Sequence, residues 1–70
     1  MRISARNVLK GTVKQIHEGA VNNEIIITLP GGDEITSVIT KTSSQNLGLE
    51  AGKSVHAVIK ASNVMIAVED

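Results

Sequence analysis

The chain has no cysteine, no phenylalanine, tyrosine or tryptophan, and one proline. Without cysteine there are no disulfides and no thiolate metal sites. His17 and His56 stand far apart and have no thiol to complete a metal-binding set with them. Without aromatic rings, the core must be built from Val, Ile, Leu, Ala and Met, and there is no platform on which nucleobases could stack. There is no excess of either charge: seven basic residues face seven acidic ones. A nucleic-acid binder ordinarily carries a basic surplus that displaces counterions from phosphates, so no nucleic-acid partner is expected. Long apolar runs are missing too. The longest, residues 64–68, has five residues, against the roughly 20 that a membrane span needs, and no membrane association is expected. The opening Met1-Arg2-Ile3-Ser4 lacks the apolar stretch of a secretory signal, so a cytoplasmic location is expected.

Size sets the next constraint. Seventy residues make a single domain, 1–70. A domain this short buries only about 60% of the surface that its unfolded chain exposes. Small chains compensate with disulfides, a metal or a partner subunit. With the first two removed by composition, a homo-oligomer is the expected remedy.

What the chain does contain is strand-forming sequence. Residues 8–16 alternate imperfectly around Val8, Thr12 and Ile16 and carry Gly11 inside, which predicts a bulge or bend. Glu18-Gly19-Ala20 reads as a turn. Residues 23–29 are rich in β-branched side chains, with Ile25, Ile26, Ile27 and Thr28, and these favour strands. Pro30-Gly31-Gly32-Asp33 is a hairpin turn. Residues 34–40 form a third strand, antiparallel to the second. One helix is expected next: Thr42-Ser43-Ser44-Gln45 fits a capping box with Thr42 at the N-cap, and Gly48 ends it. After a turn at residues 50–53, residues 54–60 form a fourth strand. Ala61-Ser62-Asn63 breaks it, and residues 64–68 form a fifth. The expectation is an all-β fold: a small five-stranded OB-like Greek-key barrel with one short helix between strands 3 and 4. An SH3-like barrel is the alternative.

Catalytic patterns fail on inspection. Gly48-Leu49-Glu50-Ala51-Gly52-Lys53-Ser54 imitates a phosphate-binding loop, but it has three residues between its glycines where four are needed. It also leads into a strand, not the helix whose amides would hold phosphate. No acid, base and nucleophile can be assembled, and no enzyme is expected. The carboxylates Asp33, Glu34, Glu50, Glu69 and Asp70 fall in turns or at the terminus, where solvated charge is the ordinary state.

Two segments place one cation beside short hydroxyl or amide side chains at a strand edge: residues 3–11, containing Ser4, Arg6 and Asn7, and residues 57–66, containing Lys60, Ser62 and Asn63. Exposed ion pairing or solvation is the plain reading of Arg6 and Lys60. Their sequence context adds to it. Ser4-Ala5-Arg6-Asn7-x-Leu9-Lys10-Gly11 resembles the signature opening of the Mop family, which comprises molbindins and the molybdate-binding modules of regulators and transport ATPases. Val58-Ile59-Lys60-Ala61-Ser62-x-Val64-Met65 is similar to the family's second signature. Ile39-Thr40-Lys41-Thr42-Ser43-Ser44, followed by Leu47-Gly48-Leu49-x-x-Gly52-Lys53, is similar to its middle block. The likeness spans nearly the whole chain in the right order, and the lack of a flanking domain suggests the free-standing type.

That resemblance implies an OB-like barrel that binds molybdate, or tungstate, at subunit interfaces, in a hexamer built as a trimer of dimers, for intracellular storage, buffering or homeostasis. It implies a site made of Ser4, Arg6, Thr40, Ser43 and Lys60 with the backbone N–H of Ala61, and Ser62 in the same shell. It also implies a second kind of site near a symmetry axis, for which the turn at residues 19–22 is the candidate. The chemistry suits the ligand. Molybdate at neutral pH is a dianion that accepts hydrogen bonds and donates none, and Lys, Arg, hydroxyls and amides all supply donors. Ser43 would sit in the first helical turn, where free amides gather. The competing expectation is an oligomeric OB-like interaction protein, without an oxyanion ligand, whose Arg6 and Lys60 pair with a neighbour's carboxylates.

Overall fold

The β-branched runs become strands wherever an antiparallel neighbour can satisfy their backbone groups. In the computed structural model, which describes residues 1–70, β1 spans Asn7–Glu18, β2 Asn22–Thr28, β3 Glu34–Thr40 and β4 Ser54–Ile59. A short helix, α1 (Lys41–Asn46), joins β3 to β4, and a 3-10 turn (Ala61–Asn63) follows β4. The strands form one curled sheet in the order β3-β2-β1-β4, antiparallel throughout. No helix is long and apolar enough to cross a membrane.

The concave face gathers the core: Val13, Ile25, Ile27 and Ala57, with Ile16, Leu29, Ile35, Ile39, Leu49 and Val55 packed around them. In β1 the residues facing inward change parity midway. Val13 faces Ile27, but Ile16 faces Ile25, because the register shifts between Val13 and Gln15. Lys14 is the extra residue. An inserted residue leaves itself unpaired and turns the following side chains over, which is how Ile16, and not Gln15 or His17, reaches the core. The bulge therefore lies at Lys14, not at Gly11. Gly11 has a different task. It is buried, and a Cβ there would stand 2.6 Å from Ile27 Cγ2 and 2.8 Å from the Thr28 carbonyl oxygen, so glycine allows β1 and β2 to approach at the bend.

The helix begins earlier than the capping pattern suggests. Thr40, not Thr42, is the N-cap: it stays extended (φ −66°, ψ 150°) and its Oγ1 accepts from the Ser43 amide. β3 runs unbroken to Thr40, so the first residue free to leave the ladder takes the cap. Gly48, in the left-handed region at φ +63°, ends the helix as glycine does after a C-cap, and Lys53 Nζ donates to the Leu47 and Gly48 carbonyls at 2.7 and 3.2 Å.

The expected fifth strand is absent. Residues 64–70 join no sheet, and Met65 and Ile66 are 93% and 90% exposed. Past the turn at Ala61–Asn63 no backbone hydrogen bond ties residues 65–70 to the rest of the chain, so the apolar run forms no ladder. The barrel is half closed: four strands surround the core, and a groove of about 380 Å³, lined by apolar side chains that include Ile35, Ile39, Leu47, Leu49, Val55 and Ile59, opens along one side.

Candidate functional site

One cleft of about 570 Å³ collects the two cation-bearing segments. Ser4, Ala5, Arg6, Val58, Lys60, Ala61, Ser62 and Asn63 line it. Antiparallel pairing brings them together: Asn7 opens β1 opposite Ile59, which closes β4, so the residues just outside both strands become neighbours. Asn7 Nδ2 reinforces the junction by donating to the Ile59 carbonyl at 3.2 Å.

The turn after β4 prepares the backbone. The amides of Asn63 and Val64 donate to the carbonyls of Lys60 and Ala61 at 2.9 and 3.2 Å. The amides at the start of the turn, Ala61 and Ser62, are not consumed by it. First-turn amides are the ones left without intrahelical partners.

The electrostatics are one-sided. No carboxylate lines the cleft. The chain's only ion pair joins Lys14 of β1 to Glu34 at the start of β3, so Arg6 and Lys60 have no acidic partner within the chain. The cleft thus offers two cations, the hydroxyls of Ser4 and Ser62 and backbone N–H groups, with Asn63 at its edge. It is a donor-rich site open to solvent.

Thr40 and Ser43 lie elsewhere. Thr40 ends β3 opposite Asn22, beside the Glu18 end of β1, whereas the cleft lies at the Asn7 end. Neither lines the cleft. Within one chain their groups are engaged with each other: Thr40 Oγ1 accepts from the Ser43 amide at 3.0 Å and donates to Ser43 Oγ at 2.8 Å. The Lys41 amide is also used, donating to the Val21 carbonyl. The six-residue helix therefore presents few free amides. The turn at residues 19–22 lines no cleft, and its Gly19 amide is held by the Asn22 carbonyl and by Oδ1 of buried Asn23. Of the lining residues that sequence reasoning left out of the site, Ala5, Val58 and Asn63, only Asn63 has a polar side chain. Its signal was its place one residue past Ser62 in the same turn.

A curled four-stranded sheet with a capped helix after β3, and a cation pair gathered where β1 and β4 meet, can be compared with known proteins. The model of the TOBE domain matches residues 3–66. The chain belongs to the TOBE-domain family. Among TOBE relatives, molybdenum-pterin-binding protein 3 of Clostridium pasteurianum is 46% identical over 94% of this chain and 97% of its own length. Among solved structures, MopII of Clostridium pasteurianum superposes with a TM-score of 0.91 at 42% identity, covering 96% of this chain and all of that one. The cytoplasmic molybdate-binding protein ModG, solved with molybdate bound, superposes with a TM-score of 0.90 at 58% identity over 93% of this chain and 46% of ModG. Within the TOBE family this chain is thus of the Mop type, and the OB-like curl is shared with MopII.

Proposed function

We propose that this protein binds molybdate, or tungstate, through Ser4, Arg6, Lys60, the Ala61 amide and Ser62, with Thr40 and Ser43 supplied by a neighbouring copy, and that it stores or buffers the oxyanion inside the cell. The observation that carries this reading is the cleft: two cations without acidic partners, surrounded by donors and by no carboxylate. Two positive charges offset a dianion, whose burial uncompensated would be very costly. Charge-assisted hydrogen bonds contribute about 1.5–3 kcal/mol each. Phosphate, partly protonated near neutral pH, carries less charge to match the two cations, and no carboxylate lines the cleft to accept its proton. Sulfate has the right charge and shape but is smaller, so its rejection rests on the size of the closed site.

With Thr40 and Ser43 as ligands, their position at the opposite end of β1 from the cleft requires a site shared between subunits, and a core of only four buried apolar residues favours association. A hexamer arranged as a trimer of dimers would supply such interfaces. Relatives are named for molybdenum-pterin binding, but this chain has no aromatic side chain to stack on a pterin ring; the cleft addresses the oxyanion. Binding, with no chemical step, accounts for every group in it.

Calorimetric titration with molybdate, paired with native mass spectrometry, tests the reading. Saturable heat from an oligomer with a fixed number of oxyanions per subunit is expected. A monomer that gives no heat with molybdate or tungstate overturns it.

A further inference from the structure

A second polar concavity lies at the bend in β1 and shares no lining residue with the cation cleft. It holds about 370 Å³, its polar side chains are Lys10, Thr12, Thr28 and Ser54, and no carboxylate lines it. Register explains the gathering. Thr12 of β1 pairs with Thr28 of β2 on one side and with Ser54 of β4 on the other, so three hydroxyls stand abreast on three strands. Strands lie about 4.8 Å apart, which makes the row about 10 Å long. Lys10 precedes Thr12 by two residues and so lies on the same face of the sheet. The residue opposite Lys10 on β4 is His56, so no carboxylate faces it there either. Neither Lys10 nor any of the three hydroxyls is engaged in a side-chain hydrogen bond within the chain.

The charge around this row favours an anion. One carboxylate shares its register: Glu34 of β3 is the residue opposite Thr28. Lys14 of β1 binds Glu34 across the intervening β2. Both partners are half-exposed, where such a pair adds little to stability; its effect here is to neutralise the carboxylate at the end of the row. Lys10 is then the free cation. One positive charge with three hydroxyl donors matches a monoanionic phosphate group, as Arg6 and Lys60 together match a dianion. The row is longer than a single tetrahedral ion, which leaves one flank for the alcohol part of a phosphate monoester.

We infer that Lys10, Thr12, Thr28 and Ser54 form a second anion site, which takes a phosphate group, free or esterified, and works independently of the Lys60 cleft. The test is residue-resolved NMR of the full chain titrated with inorganic phosphate, with glycerol phosphate and with glycerol. The expected result is saturable shifts of the amides of residues 10–12, 28 and 54 with both phosphates and none with glycerol. Tighter binding of glycerol phosphate assigns the site to a monoester; equal or weaker binding assigns it to free phosphate. Lys10→Met removes the cation and should weaken phosphate at this site at least tenfold, while molybdate binding, read by calorimetry, stays as in the parent. Glu34→Gln removes the negative charge and frees Lys14, so it should tighten phosphate several-fold, a gain that a purely structural ion pair does not predict. Shifts confined to residues 4–6 and 60–63, or a phosphate affinity unaltered in both Lys10→Met and Glu34→Gln, overturn the site. A chain that gives no heat with molybdate but shows the saturable shifts at residues 10–12 upholds this site and overturns only the reading of the Lys60 cleft.

Discussion

Lys60 directly follows a strand and caps the turn after it, where a lysine is ordinarily solvated and individually dispensable. Its surroundings set it apart: Arg6 lines the same cleft, and no acidic group lies there to neutralise either. Lys60→Ala is therefore expected to weaken molybdate binding at least tenfold, about 1.4 kcal/mol, in calorimetry, while the folded chain persists. Phosphate should bind more weakly than molybdate, and the gap should widen as pH falls and more of the phosphate becomes a monoanion, which matches two cations less well; competition titrations at two pH values check this. Gly11 is the other residue whose identity is dictated locally. A methyl group there would press on the Thr28 carbonyl, which is backbone and cannot rotate away. Gly11→Ala should destabilise the fold by about 1–3 kcal/mol, visible as a lower urea midpoint. From the sequence, Gly11 could be seen as special but not why, since a bulge and a close approach both call for glycine. Only the position of Ile27 and Thr28 separates the two.

At the scale of elements, the strands were legible because β-branched residues and the Pro30–Asp33 turn mark them, and all four begin within one residue of the expected position. The helix start was misplaced by two residues. Thr40 and Thr42 are both good caps, each followed three residues later by a side chain that can reach back, and local chemistry does not choose between them. The β2–β3 ladder chooses: Thr40 still pairs with Asn22, and the helix starts directly after. Thr40→Val should lose the bond from the Ser43 amide and cost about 1 kcal/mol in chemical denaturation, with Thr40→Ser recovering most of it. If Thr40 also faces oxyanion from a neighbouring copy, Thr40→Val will weaken molybdate binding as well, and calorimetry on the same variant reads that second role.

For the whole molecule, the contest lies between a small core and an open groove. A chain stabilised by its own copies should melt at a temperature that rises with protein concentration, since association favours the folded form by mass action; calorimetric scans at several concentrations check this, and a concentration-independent midpoint would mark a self-sufficient monomer. The sequence by itself determined the all-β character, the single helix after β3, the exclusion of disulfides and base stacking, and the pairing of one cation with short polar side chains in each of two segments. These follow from side-chain chemistry and local periodicity, which act over a few residues. Only the tertiary structure decided that Ser4, Arg6, Lys60, Ala61 and Ser62 share one cleft while Thr40 and Ser43 lie at the other end of β1. It likewise decided that residues 64–68 join no strand. Both depend on antiparallel register and on which sheet edges remain free, and those are settled by contacts between residues tens of positions apart, which no local pattern encodes.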